Sequence, residues 1–241
     1  MPFTVITSIT VQDGARVGRV EPVESGLVLE QLDALLAVST PTAIKCGMLA
    51  TPAIVESVAS RIERLCAERV GQDVTRHRPF LVVDPVAQAG GGEALGSGDV
   101  LHSVARCLFP LAEVVTCNAT EAGLLVDGRI ETPEHAEAAA REIQRLGPRT
   151  VVVKGGHLTG DPVDILADRS GCRRFEGERI AGTTMHGTGC AFASAVAAGL
   201  ARGRPVECAV GDARAHVRSL IADADRRDGA PVLRRPPNLS R

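Results

Sequence analysis

The feature that most constrains the fold is a short apolar, β-branched run that stops at a polar residue or a glycine, repeated along the chain with helical stretches between. Ala43-Ile44-Lys45-Cys46 runs into Gly47, and Phe80-Leu81-Val82-Val83 ends at Asp84-Pro85. Val114-Val115-Thr116 ends in Cys117-Asn118-Ala119-Thr120-Glu121, and Thr150-Val151-Val152-Val153 ends at Lys154-Gly155-Gly156-His157. Continuous short runs of this kind suit strands buried on both faces. Helical spacing fills the intervals: residues 25–38 with Ser25 as N-cap, 51–69 opened by Thr51-Pro52, 98–109, 132–146 opened by Thr132-Pro133-Glu134, and 205–225. Strand and helix in alternation predict a parallel sheet covered by helices on both faces. Ligands of such sheets collect at the carboxyl ends of the strands. The polar residues that interrupt the apolar runs fall there: Gln12, Asp84, Asn118, Glu121, Lys154 and the turn at 186–190.

The remaining stretches are less regular. Residues 3–11 alternate and read as a strand closed by Gln12-Asp13-Gly14; residues 163–181 read as two strands turning at Arg169-Ser170-Gly171. Residues 71–79 form a polar, basic loop, and Ala89-Gly90-Gly91-Gly92-Glu93 is a flexible stretch suited to a lid. One domain is expected over 1–227, with an irregular Pro- and Arg-rich tail over 228–241.

Met185-His186-Gly187-Thr188-Gly189-Cys190 precedes an Ala-rich run and reads as a tight turn opening a helix. The first N–H groups of a helix are unpaired and its dipole is positive there, so an anion such as a phosphate is stabilised. Cys190 falls at that helix start, a place where thiol pKa values tend to drop. A glycine turn with a small buried Cys packing the helix is the plainer alternative.

Charge and aromatic content exclude other classes. The formal net charge is −2, and the chain has five Phe but no Trp and no Tyr, so neither a nucleic-acid nor a membrane partner is expected. The longest apolar run, around 190–201, is too short to span a bilayer. Seven Cys without a CxxC pair indicate neither a disulfide framework nor a zinc site. A reducing cytoplasm is expected, and no basic start with an apolar stretch behind it suggests a signal peptide.

Phosphoryl transfer needs donors around the transferring group, a cation to spread its charge, oxygen ligands for Mg²⁺ and a base for the acceptor hydroxyl. Lys154 could reach nucleotide phosphates. Glu121, with Asn118 three residues before it, could orient hydrated Mg²⁺, and Asp84 could add negative charge on the metal side. The N–H groups of Gly187, Thr188 and Gly189 could cradle the γ-phosphate, and Cys190 could take the acceptor proton as a thiolate. Each has a plainer reading: Asp84-Pro85 as a strand end, Asn118 and Glu121 as an N-cap and first-turn acid, Lys154 as a surface lysine, His157 and His186 as turn hydrogen-bonders.

Six segments in order carry a resemblance. They are Val5-Ile6-Thr7-Ser8-Ile9-Thr10-Val11-Gln12, Ile44-Lys45-Cys46-Gly47-Met48-Leu49, Val83-Asp84-Pro85-Val86, Thr116-Cys117-Asn118-Ala119-Thr120-Glu121-Ala122, Val152-Val153-Lys154-Gly155-Gly156-His157-Leu158 and His186-Gly187-Thr188-Gly189-Cys190. The chain resembles the hydroxymethylpyrimidine and phosphomethylpyrimidine kinases of thiamine biosynthesis, within the ribokinase-like superfamily. The resemblance implies an α/β ribokinase-like three-layer α/β/α sandwich with a mostly parallel central sheet, and ATP with Mg²⁺ as donor. It implies 4-amino-5-hydroxymethyl-2-methylpyrimidine and its monophosphate as substrates. By position, Gln12 and Met48 become pyrimidine contacts, Lys154, Asn118, Glu121 and Asp84 the nucleotide and Mg²⁺ site with Glu121 and Asp84 on the metal side, Gly187, Thr188 and Gly189 the anion hole, and Cys190 the catalytic base. A homodimer is expected. A pyridoxal kinase of the same superfamily and a catalytically silent nucleotide- or pyrimidine-binding relative are the alternatives.

The chain departs from the pattern in three places. The family's first strand and Gly-x-Asp-x-Ser-Gly-Gly-Ala-Gly loop are missing before Val5, so an upstream segment encoding them is expected. The stretch Ala87-Gln88-Ala89-Gly90-Gly91-Gly92 lacks the usual lid lysine, and Gly229-Ala230-Pro231-Val232 is a blurred remnant of the C-terminal glycine motif.

Overall fold

The computed structural model describes residues 1–13, 16–70, 78–86, 95, 99–180, 187–223, 225–227 and 230–232. The chain opens with an antiparallel pair, β1 (Ser8–Gln12) and β2 (Val17–Pro22), in register from Ser8 opposite Pro22 to Gln12 opposite Val17, with an irregularity between Val11 and Gln12. The expected strand over 3–11 is therefore shorter. It also belongs to a separate two-stranded sheet, not to the central one. β2 escaped the sequence reading because Val17-Gly18-Arg19-Val20-Glu21-Pro22 has no apolar run; its partner across the turn makes it a strand.

Helix α1 (Ser25–Val38) follows. Its N-cap is Glu24, whose carboxylate accepts from Leu27 N at 3.0 Å, and not Ser25. A carboxylate there complements the helix dipole as well as satisfying a donor. Next come β3 (Ala43–Cys46), α2 (Pro52–Val70), β4 (Phe80–Val83), α3 (Val100–Cys107), β5 (Val114–Asn118), α4 (Ala119–Val126), α5 (Pro133–Gln144) and β6 (Thr150–Lys154). The antiparallel strands β7 (Asp164–Asp168) and β8 (Gly171–Phe175) precede α6 (Thr188–Ala201) and α7 (Val206–Ala222). The chain closes with β9 (Asp225–Arg227) paired to β10 (Ala230–Val232), so the expected irregular tail contains a strand. Helix α4 was also not anticipated; its eight residues follow β5 with no intervening loop. The lid stretch 87–92 and His186 lie outside the described residues.

The central sheet has the order β3-β4-β5-β6-β7-β8. Its first four strands are parallel and the last two antiparallel. The period of two along each strand splits the core in two. Leu81, Val83, Val115, Val151 and Val153 pack with Ile54 and Val55 of α2, Val104 of α3, Ala122 of α4 and Ile143 of α5. Val82, Val114, Val152 and Leu166 face the other way, onto Phe192, Val196 and Leu200 of α6 and Val210 of α7. This is the expected three-layer arrangement. Its consequence for function is that α6 covers the sheet from one side with its N-terminus at the carboxyl ends of the strands. Among the described residues no helix is long and apolar enough to cross a membrane.

Candidate active site

Four neighbouring strands deliver one polar side chain each to the same corner. Asp84 continues β4 past its end, its N–H donating to Cys46 O of β3 at 2.9 Å, and the residue is 2% exposed. A carboxylate buried so deeply must be paired. Lys154, the last residue of β6, donates from Nζ to Asp84 Oδ1 at 2.9 Å. Thr116 of β5 donates its hydroxyl to the same oxygen at 3.0 Å. Lys45 of β3 places its Nζ 4.0 Å from Asp84 Oδ2. Lys45 and Thr116 were not among the candidate residues. Their signal was present: each is a lone polar residue inside an otherwise apolar strand, where only a buried partner makes it tolerable.

Burial by itself would lower the Lys154 ammonium, but the charges of Asp84 and then Glu121, with the hydrogen bond to Asp84, hold it above the usual lysine range. It stays a cation at any physiological pH.

Asn118 and Glu121 form a reciprocal capping box at the start of α4. Asn118 Oδ1 accepts from Glu121 N at 2.8 Å, and Glu121 Oε2 accepts from Asn118 N at 2.8 Å. The plainer reading of these two residues is thus realised, and it fixes a carboxylate only 4% exposed at the end of β5. In register, Asn118 stands beside Lys154 on β6.

The glycine turn completes the corner. Gly187 is the N-cap of α6 with φ of 87°, a left-handed conformation that favours glycine, and Thr188, Gly189 and Cys190 form the first turn. A Cβ on Gly189 would lie 3.2 Å from Lys154 Nζ. The lysine ammonium therefore stands at the positive end of the α6 dipole, an arrangement that becomes favourable when an anion lies between them. Asp84 restrains the lysine there. Both oxygens of Asp84 face lysines and a hydroxyl, so it serves this corner as a counter-ion. Cys190 is exposed at the helix start. Cys46 and Cys117 are buried; burial pushes the Cys46 thiol up to about 12 and raises Cys117 as well. They are packing residues.

The two candidate pyrimidine contacts come from the hairpin and from the segment after β3. Met48, in the segment after β3, is half-buried and its carbonyl accepts from Thr7 Oγ1 at 2.7 Å. Gln12 is exposed at the end of β1. The hairpin is also tied to α1, where Gln31 pairs with the Ile6 peptide at 3.0 and 3.1 Å.

Comparison with known proteins gives this corner a context. The family model described as phosphomethylpyrimidine kinase matches residues 1–230. The chain is similar to the thiamine biosynthesis bifunctional protein ThiED of Geobacter sulfurreducens, 36% identical over 90% of this chain but spanning only 42% of that protein. It is 38% identical to the hydroxymethylpyrimidine/phosphomethylpyrimidine kinase of Rhizobium meliloti, over 92% of this chain and 80% of the relative. Among solved structures, an ADP complex of Bacillus subtilis pyridoxal kinase superposes with a TM-score of 0.82 at 27% identity, covering 95% of this chain and 84% of the other. With a family model over nearly its whole length and a ribokinase-like fold, the chain belongs to the phosphomethylpyrimidine kinase family and is a phosphotransferase.

Proposed function

We propose that this chain transfers the γ-phosphoryl group of ATP to the hydroxymethyl oxygen of 4-amino-5-hydroxymethyl-2-methylpyrimidine, and then a second phosphoryl group to the resulting monophosphate. The observation that carries the reading is the Lys154 ammonium, paired with Asp84 and standing at the N-terminus of α6. A fixed cation beside the positive end of a helix is what a transferring phosphoryl group needs.

In this reading the N–H groups of Gly187, Thr188 and Gly189 hold the γ-phosphate, and Lys154 spreads the charge that develops on the β–γ bridge oxygen as it leaves. The Cys190 thiolate accepts the hydroxyl proton while the substrate oxygen bonds to γ-phosphorus and the bridging P–O bond breaks, releasing ADP. Glu121 would hold an Mg²⁺ through water, with Asn118 orienting its carboxylate; Asp84, expected from the sequence on the metal side, has its oxygens on Lys154, Thr116 and Lys45 and serves as the lysines' counter-ion. Among the described residues no group of three acidic, His or Cys side chains could enclose a metal by itself. When bound, the metal neutralises phosphate charge; the cap, the lysine and the helix start position the reactants. Gln12 and Met48 flank the pyrimidine. The cysteines are all unpaired, in keeping with a cytoplasmic enzyme.

Pyridoxal is the second candidate substrate, favoured by the TM-score of 0.82 to the pyridoxal kinase. Parallel kinase assays on the pyrimidine and on pyridoxal separate the two. Turnover of pyridoxal but not pyrimidine would overturn the proposed substrate, and nucleotide binding without turnover of either would overturn the activity. For the base, Cys190→Ala should lower turnover by ~10²–10⁴ with ATP affinity unchanged. Parental turnover in that variant would remove Cys190 from the proton-transfer step.

A further inference from the structure

The turn that follows Lys154 is braced by three side chains to which the proposed chemistry gives no role. Asp164 opens β7 and is buried. Its Oδ1 accepts from Gly155 N at 2.6 Å, the peptide next to Lys154, and its Oδ2 accepts from Arg214 Nε of α7 at 3.0 Å. Arg214 donates its remaining nitrogens to two carbonyls, Glu176 O at 2.5 Å and Pro162 O at 2.9 Å. Arg179 clasps the turn from the outside. Its guanidinium donates to Gly160 O at 2.7 Å, Gly156 O at 3.0 Å and Leu158 O at 2.6 Å, and its own N–H donates to Asp161 Oδ1 at 3.0 Å. Gly155 leaves no slack, since a Cβ there would run into the Val163 backbone. Residues 176–179 thus stand between the turn at 155–160 and helix α7, and they precede Gly187 in the chain.

We propose that Asp164, Arg214 and Arg179 are positioning residues for nucleotide phosphate binding: they lock the 155–160 turn to the 176–179 segment and, through Arg214, to α7, which packs on α6, and so fix Lys154 relative to the start of α6. The proposal rests on the phosphate-binding reading above. Its physical basis is the target of these bonds. Nearly all go to backbone groups, so they set main-chain position and not side-chain chemistry, and each is charge-assisted and therefore stronger than a neutral hydrogen bond. Lys154 is anchored at both ends, by the Asp164 bond to the next peptide and by the Asp84 bond to its ammonium. A phosphate site tolerates little misplacement of its donors, so loosening one anchor should weaken the ligand before it unfolds the protein.

The test measures binding of a non-hydrolysable ATP analogue with Mg²⁺ by calorimetry, reading affinity and stoichiometry separately, alongside thermal unfolding. Arg179 is exposed, so Arg179→Ala should fold, bind at full stoichiometry and bind about tenfold more weakly. Arg179→Lys should recover part of that loss, and Asp164→Asn should weaken binding further. A purely structural role would lower stoichiometry or melting temperature and leave affinity as in the parent, and that result overturns the proposal. If Asp164→Asn does not fold, the Arg179 pair decides. A parent that phosphorylates the pyrimidine while the variants bind like it overturns the brace alone. A parent that binds the analogue but phosphorylates nothing overturns the activity and leaves the affinity series to judge the brace. A parent that does not bind the analogue overturns both.

Discussion

At the carboxyl ends of β3 to β6 the carboxylates are buried and paired; on the β1–β2 hairpin it is the apolar side chains that face water. Asp84 is 2% and Glu121 4% exposed, whereas Ile9 is 62% and Val11 64% exposed. The corner can hold charge inside because parallel strands fix the partners at successive positions and helices cover both faces, so each buried carboxylate meets a donor without searching for it. The hairpin has one partner strand, a bond from Thr7 to the Met48 carbonyl and the Gln31 clasp on Ile6. Its geometry depends on few contacts, and few should be lost when a side chain there changes.

The sharpest way to break this contrast is Lys154→Ala. It leaves the buried Asp84 carboxylate without its ammonium, which should cost about 3–5 kcal/mol of stability. Loss of a preorganised cation beside the transferring group should also lower turnover by at least ~10². Chemical unfolding and steady-state kinetics measure the two effects; a variant as stable as the parent would mean that Lys45 and Thr116 suffice to hold Asp84.

Gly189→Ala separates the site from its scaffold. An alanine is a better helix former, by up to about 1 kcal/mol, yet its Cβ would stand 3.2 Å from Lys154 Nζ. The fold should be at least as stable while ATP turnover drops about tenfold through a displaced lysine. Undiminished turnover would show that the ammonium does not work from that position.

Alkaline titration reads the buried side of the contrast. Cys46 is held neutral up to about 12, against 9.0 for a free thiol. Between those values the unfolded chain has released the thiol proton and the folded chain has not, so stability should fall as pH rises, by roughly 1.4 kcal/mol per unit for this group. Lys154, raised above its ordinary value, acts in the same direction: its stabilisation is complete below the unfolded pKa and fades above it. Denaturant midpoints from pH 8 upward, compared with those of Cys46→Ala, should show a shallower slope in the variant.

The smallest effect belongs to the hairpin. Ile9→Thr or Val11→Thr should change stability by no more than ~0.5 kcal/mol, because neither side chain leaves a buried position. A loss of several times that in the melting free energy would mean that this face is covered in solution.

How much was legible in advance follows the same division. Short runs such as Val151-Val152-Val153 announce a doubly covered strand because every residue in them must be buried. The polar residues that end them mark the carboxyl ends, since a parallel sheet leaves its ligand groups there. Asp84, Lys154, Asn118 and Glu121 were readable on that ground, and the glycine turn was readable from the backbone freedom it requires. Hidden were the facts that depend on which strands become neighbours. That Lys45 and Thr116 join Asp84 follows from the order β3-β4-β5-β6, and no local pattern encodes it. That β1 leaves the central sheet to pair with β2 was decided by a partner of weak strand character, whose backbone bonds became available only across the turn. Local propensity and periodicity settled which residues are strand, helix and turn. Pairing between residues far apart in the chain, set by backbone hydrogen bonding and burial in the folded molecule, settled which charges meet.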